Sequence, residues 1–194
     1  MTIQFTIWDW KDIQNIVGTV VSLDDSRQML HYIRLRCEDN RFEAVASDGF
    51  RLAKLNGKCL MSERTRTELL IPPLKAPPKT VSVMVSNVVE GKYVVYFYDK
   101  GGVMIDCCTL DIPNGEYPDF DSKFLKPAIE RRTEYSIAVN PAYLLDALNG
   151  MKNQDTVILE FGTAYEPFIV HPYKTEDLDA MSLVLPVRVF GGAT

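Results

Sequence analysis

Residues 42–53 read FEAVASDGFRLA, and the way this stretch divides sets the class of the fold. Phe42, Ala44 and Ala46 alternate with Glu43, Val45 and Ser47, loosely the period of two that a half-buried strand requires. Asp48-Gly49 is a turn signal, because Asp can bond its own backbone and Gly tolerates a positive φ. Phe50-Arg51-Leu52 follows at once, two bulky apolar groups around an arginine where a loop would ordinarily turn polar. Either these residues pack inward as the start of the next strand, or they line a surface.

Strand patterns extend outward from this stretch in both directions. Ile3–Ile7 and Tyr32–Arg36 alternate, and β-branched or aromatic runs occupy Val81–Val85, Tyr93–Tyr98, Val103–Leu110, Tyr135–Val139, Thr156–Phe161, Phe168–His171 and Ser182–Val189. Two segments read as helices. In the first, Trp10, Ile13, Val17, Val20 and Val21 recur at helical spacing, with Asp9 as the expected N-cap. In the second, NPAYLLDALNGM at 140–151, Asn140 is the N-cap and Pro141 takes the first helical position. Leu144, Leu145, Leu148 and Met151 supply its apolar face, and Asn149-Gly150 marks its end.

Residues 3–56 thus read as strand, helix, three strands, and residues 134–189 read the same way, a weak internal repeat of a β-α-β-β-β unit. The class is α+β, strand-rich with two main helices. Three segments follow: a first unit at 1–62, a helix-less middle at 63–130, and a last unit at 131–194. The middle opens on LLIPPLKAPPKT, whose Pro77 and Pro78 cannot sit inside a helix. It is either a separate lobe or an insertion, and in the second case the first and last units complete one domain. Within it, IPNGEYPDFDSKFLKP at 112–127 reads as an exposed connector whose Tyr117, Phe120 and Phe124 lie against a surface.

Composition narrows the function classes. The 194 residues are 46% hydrophobic and 24% charged with a net charge of −5, ordinary for a globular protein and adverse to one whose whole surface grips nucleic acid. No stretch is apolar enough to span a membrane, and the N-terminus lacks the charged and apolar regions of a secretory signal, so a cytoplasmic protein is expected. Cys37, Cys59, Cys107 and Cys108 form no CxxC pair and read as reduced structural thiols. His31 and His171 are isolated in strand-like segments, and no metal-ligand spacing or phosphate-binding glycine loop occurs. Asp24-Asp25 and the run Glu176, Asp177 and Asp179 read as solvated turns. The expectation is a non-enzymatic protein without cofactor or metal.

Three apolar features at strand ends or loops remain: Phe50-Arg51-Leu52, Tyr117-Pro118-Asp119-Phe120, and LVLPVRVF at 183–190, where Pro186 removes a ladder donor. Convergent, they would make an apolar groove for a short peptide. Together with YSIAVNPAYLLDAL at 135–148 they resemble, in the right chain order, motifs of the bacterial DNA polymerase III beta subunit, the sliding clamp. That family carries A-T-D-G-H-R-L-A where this chain has ASDGFRLA, F-P-D-Y where it has Tyr117–Phe120, and V-M-P-M-R-L where it has Val184–Val189.

The resemblance implies a DNA-clamp fold and a processivity factor whose groove receives short hydrophobic motifs of polymerases, clamp loaders and repair proteins. Carried over residue by residue, that groove uses Leu30, Ser47, Gly49, Phe50, Arg51 and Leu52. It adds Pro118 from the connector and Leu183, Leu185, Pro186, Val187 and Arg188 from the C-terminal strand. Two departures are plain: Phe50 replaces the family's His, and Asp121-Ser122 replaces two basic residues after F-P-D-Y. The chain is also much shorter than the family's usual length. DNA binding as an oligomeric ring is implied, yet Lys11 and Lys152 are the helices' only lysines against Asp9, Asp12 and Asp146. The basic clusters, Arg64–Arg66 and Lys126–Arg132, lie elsewhere. The alternative is a clamp-derived adaptor or regulator that keeps the groove without encircling DNA.

Overall fold

The computed structural model describes residues 1–63, 65–89, 91–131, 136–173 and 181–187. It divides into two compact units, Met1–Phe120 and Asp121–Thr194.

The first unit is built on two antiparallel sheets. Strands β1 (Thr2–Thr6), β2 (Ile33–Glu38), β3 (Arg41–Ser47), β4 (Leu52–Lys58), β5 (Leu60–Met61), β6 (Thr67–Ile71), β7 (Ser82–Val89), β8 (Lys92–Tyr98) and β9 (Met104–Asp111) form it. One sheet runs β5-β1-β7-β8-β9 and the other β4-β3-β2-β6. Each half of the unit lends its leading strand to the other. β1 pairs with β7 in the sheet of the second half, and β6 pairs with β2 in the sheet of the first. The segment beyond residue 62 therefore shares its core with the first unit of the sequence: Ile3, Phe5, Leu35 and Phe42 are buried with Leu69, Val83, Val95 and Phe97. β6 was not legible as a strand, because TELLI is short and runs into Pro72-Pro73.

The first helix, α1 (Ile7–Asp12), continues through a π turn at Ile13–Val17 and a 3-10 turn at Gly18–Val20. Its N-cap is Thr6 and not Asp9. The Thr6 hydroxyl oxygen accepts the Asp9 N–H at 3.1 Å, and Asp9 sits one turn in, where a carboxylate complements the helix dipole. Trp10, Ile13 and Val17 are fully buried, and Trp10 meets Phe5 at 5.7 Å and Phe97 at 6.4 Å between ring centroids. Where the second half would carry its own helix, the proline-rich 72–79 instead crosses as irregular chain. Side chains of the first helix serve its backbone. The Trp10 indole N–H donates to the Leu74 carbonyl at 2.9 Å, and Leu74 N–H donates to Gln14 Oε1 at 2.7 Å. A helix-less copy is tolerated because its polar groups still find partners.

The second unit holds a π turn at Asp121–Leu125, α2 (Lys126–Glu130), α3 (Pro141–Gly150) and the antiparallel sheet of β10 (Val157–Glu160), β11 (Phe168–Pro172) and β12 (Ser182–Val184). The connector reading of 112–127 thus holds only to residue 120, and the rest is helical, with Pro127 in the first turn where its missing N–H costs nothing. α3 is capped as its sequence requires: Asn140 Oδ1 accepts from Ala142 N–H at 2.9 Å and Pro141 opens the helix. Its buried residue is Ala147, packed with Met151, Phe168, Val170 and Val184, whereas Leu145 is exposed. Residues 136–140 are not a strand, although Val187 N–H donates to the Ala138 carbonyl at 2.8 Å. β12 ends at Val184, two residues before Pro186, consistent with the proline's lack of an N–H.

Candidate functional site

The turn after β3 is ordered by its own polar side chains. Ser47, buried at the strand end, donates from Oγ to the Arg51 carbonyl at 2.8 Å and accepts the Gly49 N–H at 3.0 Å. Asp48 Oδ1 accepts the N–H groups of Phe50 and Arg51 at 2.9 and 3.0 Å, and its Oδ2 pairs with Arg51 Nε at 2.9 Å. The Phe50 N–H first, and then the Arg51 side chain, hold the Asp48 carboxyl at about 2, well below the usual carboxylate range. Gly49 has a φ of +91°, and a Cβ there would overlap the Arg27 guanidinium. Arg51 is turned back onto the protein, its Nη2 donating to the Thr19 carbonyl at 3.2 Å.

Phe50 is the residue this scaffold presents: it is 90% exposed. The Arg27 guanidinium lies 5.3 Å from its ring centroid and donates to the Asp48 carbonyl at 2.8 Å. Arg27 belongs to the 3-10 segment Asp25–His31, which also carries Leu30, buried and bonded through its carbonyl to Ser22 N–H. Leu52, half-buried, opens β4 opposite Ser47. The connector is pinned to the same sheet. The hydroxyl of the half-buried Tyr117 donates to the Tyr32 and Val45 carbonyls at 3.3 and 3.4 Å, the Arg34 guanidinium lies 5.5 Å from its ring centroid, and Phe120 packs edge-on against it. Burial pushes the Tyr117 phenol up to about 12. Pro118, next in the chain, is exposed.

The C-terminal candidates lie in the second unit. Leu183, Leu185 and Val187 are exposed and Pro186 is half-buried, while Arg188 lies outside the described residues. Leu183 and Leu185 line a cavity of about 500 Å³ together with Tyr143, Asp146, Ala147 and Val184. Tyr143, Asp146 and Ala147 escaped the sequence reading; their signal was their spacing of three and four on α3, which sets them on one face.

Among the described residues no group of three or more His, Cys, Asp or Glu is placed to hold a metal ion, and no helix is long and apolar enough to cross a membrane. Glu43 sits among Arg34, Arg36 and Lys54, with N–O distances of 3.5, 3.9 and 2.6 Å, an ion-pair network on the outer face of β2–β4. Arg64, Arg132 and the run Glu176, Asp177 and Asp179 lie outside the described residues.

Two exchanged sheets, a turn presenting an aromatic residue and a connector strapped to the sheet define a class: the fold is that of the bacterial sliding clamps. No protein-family model matches the sequence, and no curated protein sequence matches it. Solved structures do. The chain is similar to the DNA polymerase III subunit beta of Borrelia burgdorferi, solved with a natural product, at a TM-score of 0.67 and 15% identity over 95% of this chain and 48% of that one. It is similar to the DNA polymerase sliding clamp of Bacillus subtilis at a TM-score of 0.51 and 19% identity, over 98% of this chain and 65% of that one. The DNA polymerase III beta chain of Streptococcus pneumoniae TIGR4 matches at 0.51 and 17%, over 97% and 65%. The chain therefore spans less than two thirds of each of these proteins.

Proposed function

We propose that the protein is a non-enzymatic, clamp-like factor of DNA replication or repair in the cytoplasm that captures short hydrophobic peptide segments of a polymerase, clamp loader or repair protein. The observation that carries this reading is the row of apolar side chains left in solvent beside the α3 cavity, Leu183 and Leu185, with Tyr143 as an aromatic wall. The first unit supplies a second apolar feature, with Phe50 exposed on a hydrogen-bonded turn and the half-buried Leu52 opening the next strand. Arg51 is engaged by Asp48 and Thr19, so polar recognition by that residue would use only its remaining N–H groups. A Gln-Leu-x-Leu-Phe-type peptide binds in this reading, and Leu52→Asp or Pro186→Asp abolishes binding. Undiminished binding in both variants removes it.

A second reading, an adaptor that does not encircle DNA, is favoured by the face of the first helix. Trp8 is 72% exposed with the Lys11 ammonium 5.2 Å over its ring, and Asp9, Asp12 and the exposed Ile16 complete that surface. A helix lining a DNA-filled ring needs several cations toward phosphates, and this one is apolar and acidic. Solution mass, together with retention on closed circular against linear DNA, separates the two: a closed oligomer retained only on circles supports the processivity factor, and a monomer without retention supports the adaptor.

A further inference from the structure

A concave polar surface lies on the outer face of β2–β4, the side away from Leu35, Cys37 and Ala44 of the core. Its cavity of about 590 Å³ falls within the range usual for small-molecule sites. Four cations line it: Arg36 of β2, Arg41 of β3, Lys58 of β4, and Arg66 just ahead of β6. Sheet register brings these residues together from distant parts of the segment. Arg41 is the cross-strand partner of both Lys58 and Glu38, and Cys37 pairs with Thr67, the neighbour of Arg66. With strands about 4.8 Å apart, the row from Arg66 through Glu38 and Arg41 to Lys58 spans roughly 15 Å.

The charges of this face are not evenly spent. Glu43 is engaged by Lys54 at 2.6 Å and Arg34 at 3.5 Å, and Glu68 is engaged by Arg36 Nε at 2.7 Å. These bonds hold Arg36 in place at the cavity wall. Arg41, Lys58 and Arg66 are exposed, and among the described residues their side chains enter no ion pair or hydrogen bond. The carboxylate that opposes them in the lining is Glu38. Three uncommitted cations against that one carboxylate make the cavity locally positive in a chain whose net charge is −5. An anion seated between the cations relieves their mutual repulsion.

We propose that this cavity is a binding site for a compact polyphosphate, an anion of the diphosphate or triphosphate class, either free or as the phosphate chain of a nucleotide. The Arg41 and Arg66 guanidinium forks match phosphate oxygens two at a time, and Lys58 supplies a point charge. The exposed Asn56 amide, also in the lining, offers a neutral donor to a further oxygen.

Two features favour a compact anion over a nucleic-acid strand. Phe42, the aromatic residue of the lining, is 3% exposed, so the cavity presents no ring on which a base could stack. The cations are also confined to one short row, and the acidic chain around them repels the charges of a strand that runs past it. A polyphosphate concentrates more charge in this volume than an acidic peptide, whose carboxylates stand on separate residues. No residue of the proposed peptide groove lines the cavity, so the two sites can be tested apart.

The whole protein is titrated with tripolyphosphate and, in parallel, with a nucleoside triphosphate, by calorimetry at about 0.05 and 0.2 M salt. Saturable binding at a single site is expected, weaker at the higher salt. Arg41→Ala and Lys58→Ala should each weaken it about 3- to 10-fold, and Glu38→Gln should strengthen it. All three residues are exposed, so the melting temperatures of the variants should match that of the unaltered protein. Equal or tighter binding of tripolyphosphate assigns the site to the phosphate chain alone, and tighter binding of the nucleoside triphosphate assigns it to a nucleotide; either supports the proposal. No saturable binding of either anion overturns it, as does binding that Arg41→Ala and Lys58→Ala both leave unchanged. A single-stranded oligonucleotide or acidic peptide that binds through Arg41 and is not displaced by tripolyphosphate also overturns it.

Discussion

The Arg27 guanidinium sits 5.3 Å from the Phe50 ring while donating to the carbonyl of Asp48 at 2.8 Å. One side chain thus fixes both the turn and the aromatic residue that the turn displays. Phe50 stays in solvent because its backbone is committed to Asp48 and its ring leans on a cation; it does not pack inward as the start of β4, which begins at Leu52.

Arg27→Ala should free Phe50 without disturbing the core, since Arg27 is itself surface-exposed. The expected outcome is weaker capture of a hydrophobic peptide, by about 3- to 10-fold, with the melting temperature nearly unchanged. Gly49→Ala should act differently, because its φ of +91° is strained for alanine and its Cβ would meet Arg27. A loss of about 1–3 kcal/mol in urea unfolding is expected.

Asp48 makes stability depend on acid. Its carboxyl lies at about 2 in the folded chain against an ordinary 3.8, so the folded state binds the proton less readily than the unfolded chain does. The stabilising contribution is present above 3.8 and disappears as pH falls through about 2. Asp48→Asn should remove this component, and the difference between the stability profiles of the two proteins across that window measures it.

Trp10→Phe should leave the Leu74 carbonyl without its indole donor and open space beside Phe97. A loss of about 2–4 kcal/mol is expected from an unpaired, partly buried acceptor and a partly filled cavity. Hydrogen exchange should report the change first in residues 72–79, whose backbone the first helix supports.

Gly57 leaves room for the Phe42 ring, and any Cβ at that position would overlap it. Gly57→Ala should cost about 1–3 kcal/mol through overpacking. Combining it with Phe42→Leu should recover part of that loss, so the two changes should couple in a double-mutant cycle. Simple additivity would place the strain elsewhere.

The local devices could be read directly. Asn140-Pro141 opens α3 and Asp48-Gly49 turns the chain because each depends on groups within four residues. The lines were less clear where neighbours compete. Both Thr6 and Asp9 are capping residues, and the cap fell to Thr6 because β1 ends there and Ile7 must enter the core. Tyr143 gave no signal of its own, since an aromatic residue on a helix is usually core; it borders a cavity only because β12 runs beside α3.

The order of residues by itself determined the strand-rich class, the β-α-β-β-β rhythm of residues 2–58, the capped helix and the apolar exit from the Asp-Gly turn, all of which follow from short-range sterics and periodicity. Only the tertiary structure decided that β1 joins β7 and β6 joins β2, and that a proline-rich segment stands in for a helix. Strand exchange is settled by burial: the pairing that hides Ile3, Phe5, Leu69 and Ile71 in one core wins over pairings between nearer neighbours. No window of sequence contains both sides of that comparison.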